Sequence, residues 1–124
     1  MITYSVTATV TRATQFDRNE FRKIGLTSGD ASKEFSASVD LSVSPLPTFP
    51  ILIATPNIST IKFLVIQVSG GEALIRLTHS SQVYNNIDLP VSGTVILSGI
   101  ELSQVCVLGT PSGLCFIEAF GMGV

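Results

Sequence analysis

The chain has 124 residues, a formal net charge of -2, 45% hydrophobic residues and only 13% charged residues. This apolar content excludes a disordered chain, and the length fits one domain with a substantial core. The slightly acidic charge balance argues against a nucleic-acid partner, which would need a basic face. Serine and threonine supply 27 of the 124 residues and take the place of charged residues on the surface. These figures predict a single Ser/Thr-rich β domain over residues 1–124.

The first predicted strand covers residues 2–11, where apolar and hydroxyl-bearing side chains alternate. Period-two alternation is typical of a strand with one buried face and one exposed face. The first ten residues contain no basic region followed by an apolar core and a cleavage site. We therefore expect no signal peptide, and synthesis in the cytoplasm of a host cell.

A charged excursion follows at residues 12–34, which hold nine of the 16 charged residues of the chain. Its pattern is compatible with a short helical turn or an irregular strand. Basic and acidic residues are mixed in it, which is typical of a solvated surface segment but also suits a specific partner surface. The candidate partner-contact residues are Arg18, Glu20, Arg22 and Lys23.

Residues 35–44 alternate again and predict a second half-buried strand. A proline-rich crossover follows at residues 44–50, where three prolines in six residues exclude a central strand. A long connection of this kind is typical of Greek-key and jelly-roll folds.

Residues 61–68 are apolar at nearly every position, so we expect a strand that is buried on both faces or covered by a neighbouring subunit. The stretch is much shorter than the roughly 20 residues of a membrane-spanning helix, and we expect no membrane partner. The Gly70-Gly71 pair predicts a hairpin turn into a strand over residues 73–78. Further strands are predicted at residues 83–89, 94–97, 104–108 and 114–120, and no segment of ten residues has helical periodicity.

The two cysteines, Cys106 and Cys115, are too few for a disulfide framework and are not spaced as zinc ligands. They flank a predicted turn at residues 109–113, and a hairpin there would place them opposite each other on two antiparallel strands. Two interpretations remain open: buried thiols that act as small hydrophobic side chains in a reducing compartment, or a pair that forms a disulfide.

The succession of short strands separated by turn residues predicts an all-β fold, an antiparallel β-sandwich or jelly roll of about eight strands. An immunoglobulin-like sandwich is the alternative. The chain has no tryptophan, so the Cys-Trp-Cys pattern of antibody domains is absent.

Catalytic and metal-binding patterns are not evident in the sequence. A hydrolytic triad needs a histidine between a nucleophile and a carboxylate, and the single histidine, His79, has no visible partner of that kind. No cluster of residues has metal-ligand spacing, and neither glycine pattern, at residues 70–71 or 121–123, has the features of a nucleotide loop. We expect no enzyme, no metal and no cofactor, and a small hydrolase using His79 is the weakest alternative.

The C-terminal residues 116–124 are apolar and contain one charged residue, Glu118. A chain end of this composition fits a subunit contact better than solvent, because exposed contiguous apolar surface marks interfaces. We expect a homo-oligomer with two-fold or three-fold symmetry. Glu118 is a rim carboxylate or forms an intersubunit salt bridge, for which Arg76 is a candidate partner. The candidate interface residues are Phe116, Glu118, Phe120 and Met122.

Four segments of the second half, residues 58–66, 73–78, 91–99 and 105–120, follow one another as two strands, a glycine-flanked strand and a last hairpin. In the order of these segments and in their residue pattern, the chain resembles small β-sandwich virion structural proteins of tailed bacteriophages. The resemblance covers roughly 65 residues and implies a non-enzymatic virion component. It most concretely implies a head decoration (cement) protein, a dimer or trimer that contacts other virion proteins such as the major capsid protein and stabilises the shell.

Two other functions fit the same fold. A tail, baseplate or fibre module differs from a decoration protein only in its position on the particle. A carbohydrate-binding, lectin-like module needs exposed aromatic and amide side chains, and residues 84–88 (Tyr-Asn-Asn-Ile-Asp) are the segment suited to that role.

Overall fold

A computed structural model describes residues 2–5, 7–12, 20–25, 29–81 and 83–124, and the side chains of residues 5, 7, 31–81 and 83–124. Every regular element in these ranges is a strand, so the prediction of an all-β fold is confirmed. The strands are β1 (Ile2–Tyr4), β2 (Thr7–Arg12), β3 (Glu20–Gly25), β4 (Gly29–Ala31), β5 (Lys33–Leu41), β6 (Ile51–Leu52), β7 (Ile61–Ser69), β8 (Ala73–His79), β9 (Ile87–Val91), β10 (Thr94–Gly109) and β11 (Cys115–Gly123).

Seven strands form one antiparallel sheet in the order β5-β11-β7-β10-β8-β9, with β6 paired to β10 beside this path. The 16-residue strand β10 pairs with β7 through its first part and with β8 and β6 through its second part. Between Ser98 and Leu102 its register shifts, and Gly99 has a φ of 72°. An irregularity of this kind bends a strand and carries it from one layer of a sandwich to the other.

The bend in β10 divides the sheet into two layers. The first layer contains β5, β11, β7 and the first part of β10, and the second contains β6, the second part of β10, β8 and β9. Buried side chains from both layers form a single apolar core, and none of the buried residues described is polar or charged. Full burial of each aliphatic side chain stabilises the fold by about 1.5–3 kcal/mol. The largest fully buried aliphatic side chains of this core are Leu41, Ile53, Ile61, Leu64, Ile66, Ile75, Ile117, Val105 and Val107.

The predicted hairpin at Gly70-Gly71 is wrong, because β10 lies between β7 and β8 in the sheet. The glycines serve the connection between the strands in a different way. Gly70 has a φ of 82°, and a Cβ on Gly71 would lie 2.6 Å from the carbonyl oxygen of Leu114. The pair therefore allows the chain to pass closely over the start of β11 as it crosses from the first layer to the second.

The second predicted hairpin, around residues 109–113, is also wrong. Strand β7 lies between β11 and β10, so the turn joins the two layers instead of two paired strands. Cys115 is buried in the core, Cys106 is half-buried on β10, and both are free thiols. Burial raises the pKa of each thiol, and the charge of Arg76 opposes part of this shift at Cys106.

The described strands that precede β5 form two small two-stranded sheets. The alternating residues 2–11, predicted as one strand, belong to β1, which pairs with β4, and β2, which pairs with β3. The described part of the charged excursion is therefore extended, as β3 and β4, and the alternative of a helical turn is wrong for those residues. Ala31 at the end of β4 packs against Phe63 of β7.

Other strand boundaries differ from the predicted ones in detail. Residues 44–50 contain no strand, as their prolines predict, and the strand predicted at residues 35–44 ends earlier, at Leu41. The strand predicted at residues 83–89 begins later, as β9, and the two predicted at residues 94–97 and 104–108 are one bent strand, β10.

Candidate functional site

The surface of interest is the outer face of the first layer, the side of β5, β11, β7 and β10 that points away from the core. Successive side chains of a strand point to opposite faces, so the residues that alternate with the core positions share this face. The outer face contains Ser36, Ser38, Phe63, Val65, Gln67, Thr94, Ile96, Phe116, Glu118, Phe120 and Met122.

The strand register arranges the outer face into rows that run across the four strands. One row is mostly apolar and aligns Phe120 of β11 with Val65 of β7 and Ile96 of β10. The adjacent row is polar and aligns Glu118 with Gln67 and Thr94. On β5, Ser36 lies opposite Phe120 and Ser38 lies opposite Glu118.

The apolar row is exposed to an unusual degree for the outer face of a sandwich, which is normally polar. Phe120 keeps 37% of its surface exposed and Ile96 keeps 42%. The Phe120 ring contacts Phe63 edge-to-face, with 6.4 Å between ring centroids. Phe63 is itself buried beneath Ala31. An edge-to-face pair of this kind stabilises the position of the Phe120 ring by about 0.5–1.5 kcal/mol.

A groove of about 490 Å³ lies on this face above β5, β11 and β7. Its lining combines aromatic and aliphatic side chains with hydroxyl, amide and carboxylate groups. Of the described residues that line it, Glu118 alone is charged, so little charge must be desolvated when a partner covers the groove. The lining residues are Ser36, Ala37, Ser38, Val65, Gln67, Phe116, Glu118, Ala119 and Phe120.

The four residues predicted as a subunit interface all lie on one side of β11. Phe116, Glu118 and Phe120 line the groove. Met122, the next alternate residue along β11, lies opposite Phe63 of β7. The sequence prediction did not include the β5 serines and the β7 and β10 side chains that complete the face. The signal for β7 was present in the apolar character of residues 61–68 on both faces.

The proposed partner of Glu118 is engaged elsewhere. Arg76 on β8 donates hydrogen bonds of 2.7 and 2.8 Å to the two carboxylate oxygens of Asp88 on β9. These hydrogen bonds and the charge of Arg76 lower the pKa of Asp88. An intersubunit bridge between Glu118 and Arg76 would have to break this pair.

The predicted partner-contact residues of the charged excursion are described only in part. Glu20, Arg22 and Lys23 lie on β3, where they oppose Arg12, Val10 and Thr9 of β2. Their side chains and the whole of Arg18 lie outside the described residues.

His79 is the one histidine, and its environment differs from that of a catalytic base. Its Nδ1 accepts a hydrogen bond of 2.9 Å from the backbone N–H of Ser81. Its ring contacts the ring of Tyr84 edge-to-face, with 4.8 Å between the ring centroids. In a hydrolytic triad the protonated Nδ1 of the histidine donates a hydrogen bond to a carboxylate. Nδ1 of His79 has the opposite role, so the triad alternative has no geometric support. Within the described residues, no three His, Cys, Asp or Glu side chains form a metal-binding group.

No protein-family model, curated protein or solved structure matches this chain. In the part of the chain that the structure describes, no helix is long and apolar enough to span a membrane.

Proposed function

We propose that this protein is a non-enzymatic structural subunit of a tailed-phage virion, which oligomerises, decorates the head shell and stabilises it. The observation that carries the proposal is the exposed apolar row of the outer face, with Phe120, Val65 and Ile96 aligned across three strands. Such a row is suited to burial against another protein. The assignment to a phage particle rests on the resemblance of the second half of the sequence.

The energetics of the outer face favour protein contact. Burial of apolar surface contributes about 25 cal/mol per Å², so covering the exposed parts of Phe120 and Ile96 contributes about 2 kcal/mol each. The polar row beside them supplies Glu118 and Gln67 for hydrogen bonds at the rim of such a contact. The major capsid protein, which forms the assembled shell, is the proposed partner.

The proposal is tested by adding the purified protein to virions that lack it and measuring the bound fraction by cosedimentation. Phe120→Ser and Ile96→Ser should each weaken binding at least about tenfold, because central apolar contacts dominate interface energies. Leu52→Ser is the matched control, since Leu52 is 56% exposed on β6 in the second layer. Equal binding of all three variants and the original protein contradicts the proposal.

A tail, baseplate or fibre module is the alternative to a head decoration protein, and it differs only in where the protein lies on the particle. Gold labelling of a tagged chain in purified virions separates the two. Label over the head supports decoration, and label confined to the tail replaces it with the tail module.

A lectin-like module is the second candidate, favoured by one observation. Tyr84 is 64% exposed, and His79 holds its ring in an edge-to-face contact. The neighbouring amides of Asn85 and Asn86 are also exposed. A glycan array tests this function: signals that disappear in Tyr84→Ala support it, and an array without signals removes it.

A further inference from the structure

Strand β5 forms one edge of the first layer. All nine of its residues pair with β11, and within the described residues no strand pairs with its other edge. A free edge presents unpaired backbone N–H and C=O groups to any strand that can align with it.

The hydrogen-bond pattern identifies which residues of β5 present these groups. The N–H of Val68 donates to the carbonyl of Gly93 at 2.8 Å, so the even-numbered residues of β7 bond towards β10. Because backbone groups alternate in direction along an antiparallel strand, the odd-numbered residues of β7 bond towards β11. The odd-numbered residues of β7 lie opposite even-numbered residues of β11, so the odd-numbered residues of β11 bond towards β5. Those residues lie opposite odd-numbered residues of β5, which therefore bond to β11. The groups directed to the free edge therefore belong to Glu34, Ser36, Ser38 and Asp40.

This edge lacks the features that usually prevent strands from pairing. Natural edge strands carry a central lysine, a proline, a bulge or an inward-pointing charge. Residues 35–39 of β5 contain none of these, and their register with β11 is unbroken. Charges flank this segment on both sides, at Lys33, Glu34 and Asp40.

We propose that β5 pairs antiparallel with β5 of a second copy across a two-fold axis, which joins the two first layers into one continuous layer. The inference deepens the proposed function, because it names the contact through which the protein oligomerises. A second copy matches the edge in length. In every register that pairs even-numbered residues with even-numbered residues, the two outer faces lie on the same side. The two grooves then form one surface that faces a single partner.

Charge restricts the register of this pairing. If the axis passes through Ala37, Glu34 lies opposite Asp40 of the second copy, and like charges directly opposite each other are destabilising. An axis through Ser36 or through Ser38 places each carboxylate opposite a serine instead. Either register allows about six backbone hydrogen bonds between the copies. The proposal is pairing in one of these two registers.

The test is the molar mass of the purified chain by light scattering, with two substitutions of one residue. The original protein should have twice the monomer mass of 13.1 kDa. Ser38→Pro removes an N–H directed to the free edge and spares the ladder to β11, so it should be a monomer. Ser38→Ala keeps the N–H and should remain a dimer. A monomeric original protein at every concentration, or a Ser38→Pro dimer of undiminished affinity, overturns the proposal.

Amide hydrogen exchange gives a second measurement that does not depend on a folded proline variant. In the dimer, the amides of Ser36 and Ser38 should exchange as slowly as those of Ala37 and Val39. An oligomer in which Ser36 and Ser38 exchange fast while Ala37 and Val39 are protected uses another surface, and it overturns the proposal. A monomer that binds virions through Phe120 keeps the decorating role and overturns the β5 contact, whereas a β5 dimer that binds no virion keeps the contact and overturns the decorating role.

Discussion

Gly121 lies where β11 passes between the ring of Phe35 and the backbone of Phe63. A Cβ at this position would lie 2.7 Å from the carbonyl oxygen of Phe63 and would also clash with the Phe35 ring. We expect Gly121→Ala to lower the free energy of unfolding by about 1–3 kcal/mol, because an added methyl group forces neighbouring atoms to move. Urea unfolding measures this loss. Gly93→Ala is the control, since nothing lies within 4 Å of its Cβ, and a loss of equal size there would contradict the account.

The two thiols should react at different stages with Ellman's reagent. Burial raises the pKa of both, so reaction is slow for each, but Cys115 is only 1% exposed whereas Cys106 is half-buried. We expect one thiol to react in the native protein and the second only on unfolding. Cys106→Ser should abolish the native reaction. Equal reaction rates of both thiols without denaturant would contradict the deeper burial of Cys115.

Single residues also show where sequence patterns mislead. The glycine pair at residues 70–71 has the composition of a hairpin turn, yet its glycines are required by the close approach of Gly71 to Leu114. That contact joins residues more than forty positions apart. Local sequence cannot contain this information, because the partner is determined by which strands lie between them.

At the scale of the elements, the pairing of β9 with β8 includes the Arg76–Asp88 salt bridge. The pKa of Asp88 is lowered in the folded state, so its contribution to stability is complete above the ordinary carboxyl pKa. It is lost as the pH falls from about 5 through the folded pKa. We expect Arg76→Gln to raise the pKa of Asp88, measured by NMR titration of its side-chain carboxyl carbon. An unchanged pKa in that variant would show that the pair does not form in solution.

The existence of most strands in the main sheet could be predicted, but their neighbours could not. Alternation along β5 and β11 and the continuous apolar run of β7 mark them as strands. The order β5-β11-β7-β10 depends on long-range pairing and on the bend of β10 at Gly99. An isolated glycine in a strand pattern is compatible with a turn or a bulge, and the sequence prediction divided β10 at this point.

At the scale of the whole molecule, the sparse charge of the chain predicts a body that other proteins surround. In the structure, the exposed apolar row lies on one layer of the sandwich, and our proposal assigns the partner contact to that layer. That Phe116, Glu118, Phe120 and Met122 share one side of β11 could be predicted, because one strand carries all four residues. The contribution of β7 and β10 could not, since it depends on strand register.

The central claim is that this protein is a structural part of a virion, and quantitative mass spectrometry of gradient-purified particles tests it most directly. The particles are those produced from the genome that encodes the chain. We expect the chain to sediment with the virions in a fixed, high ratio to the major capsid protein and to remain after repeated purification. Absence of the chain from the particles, with recovery only in the soluble fraction of the lysate, would show that the protein is not part of the virion.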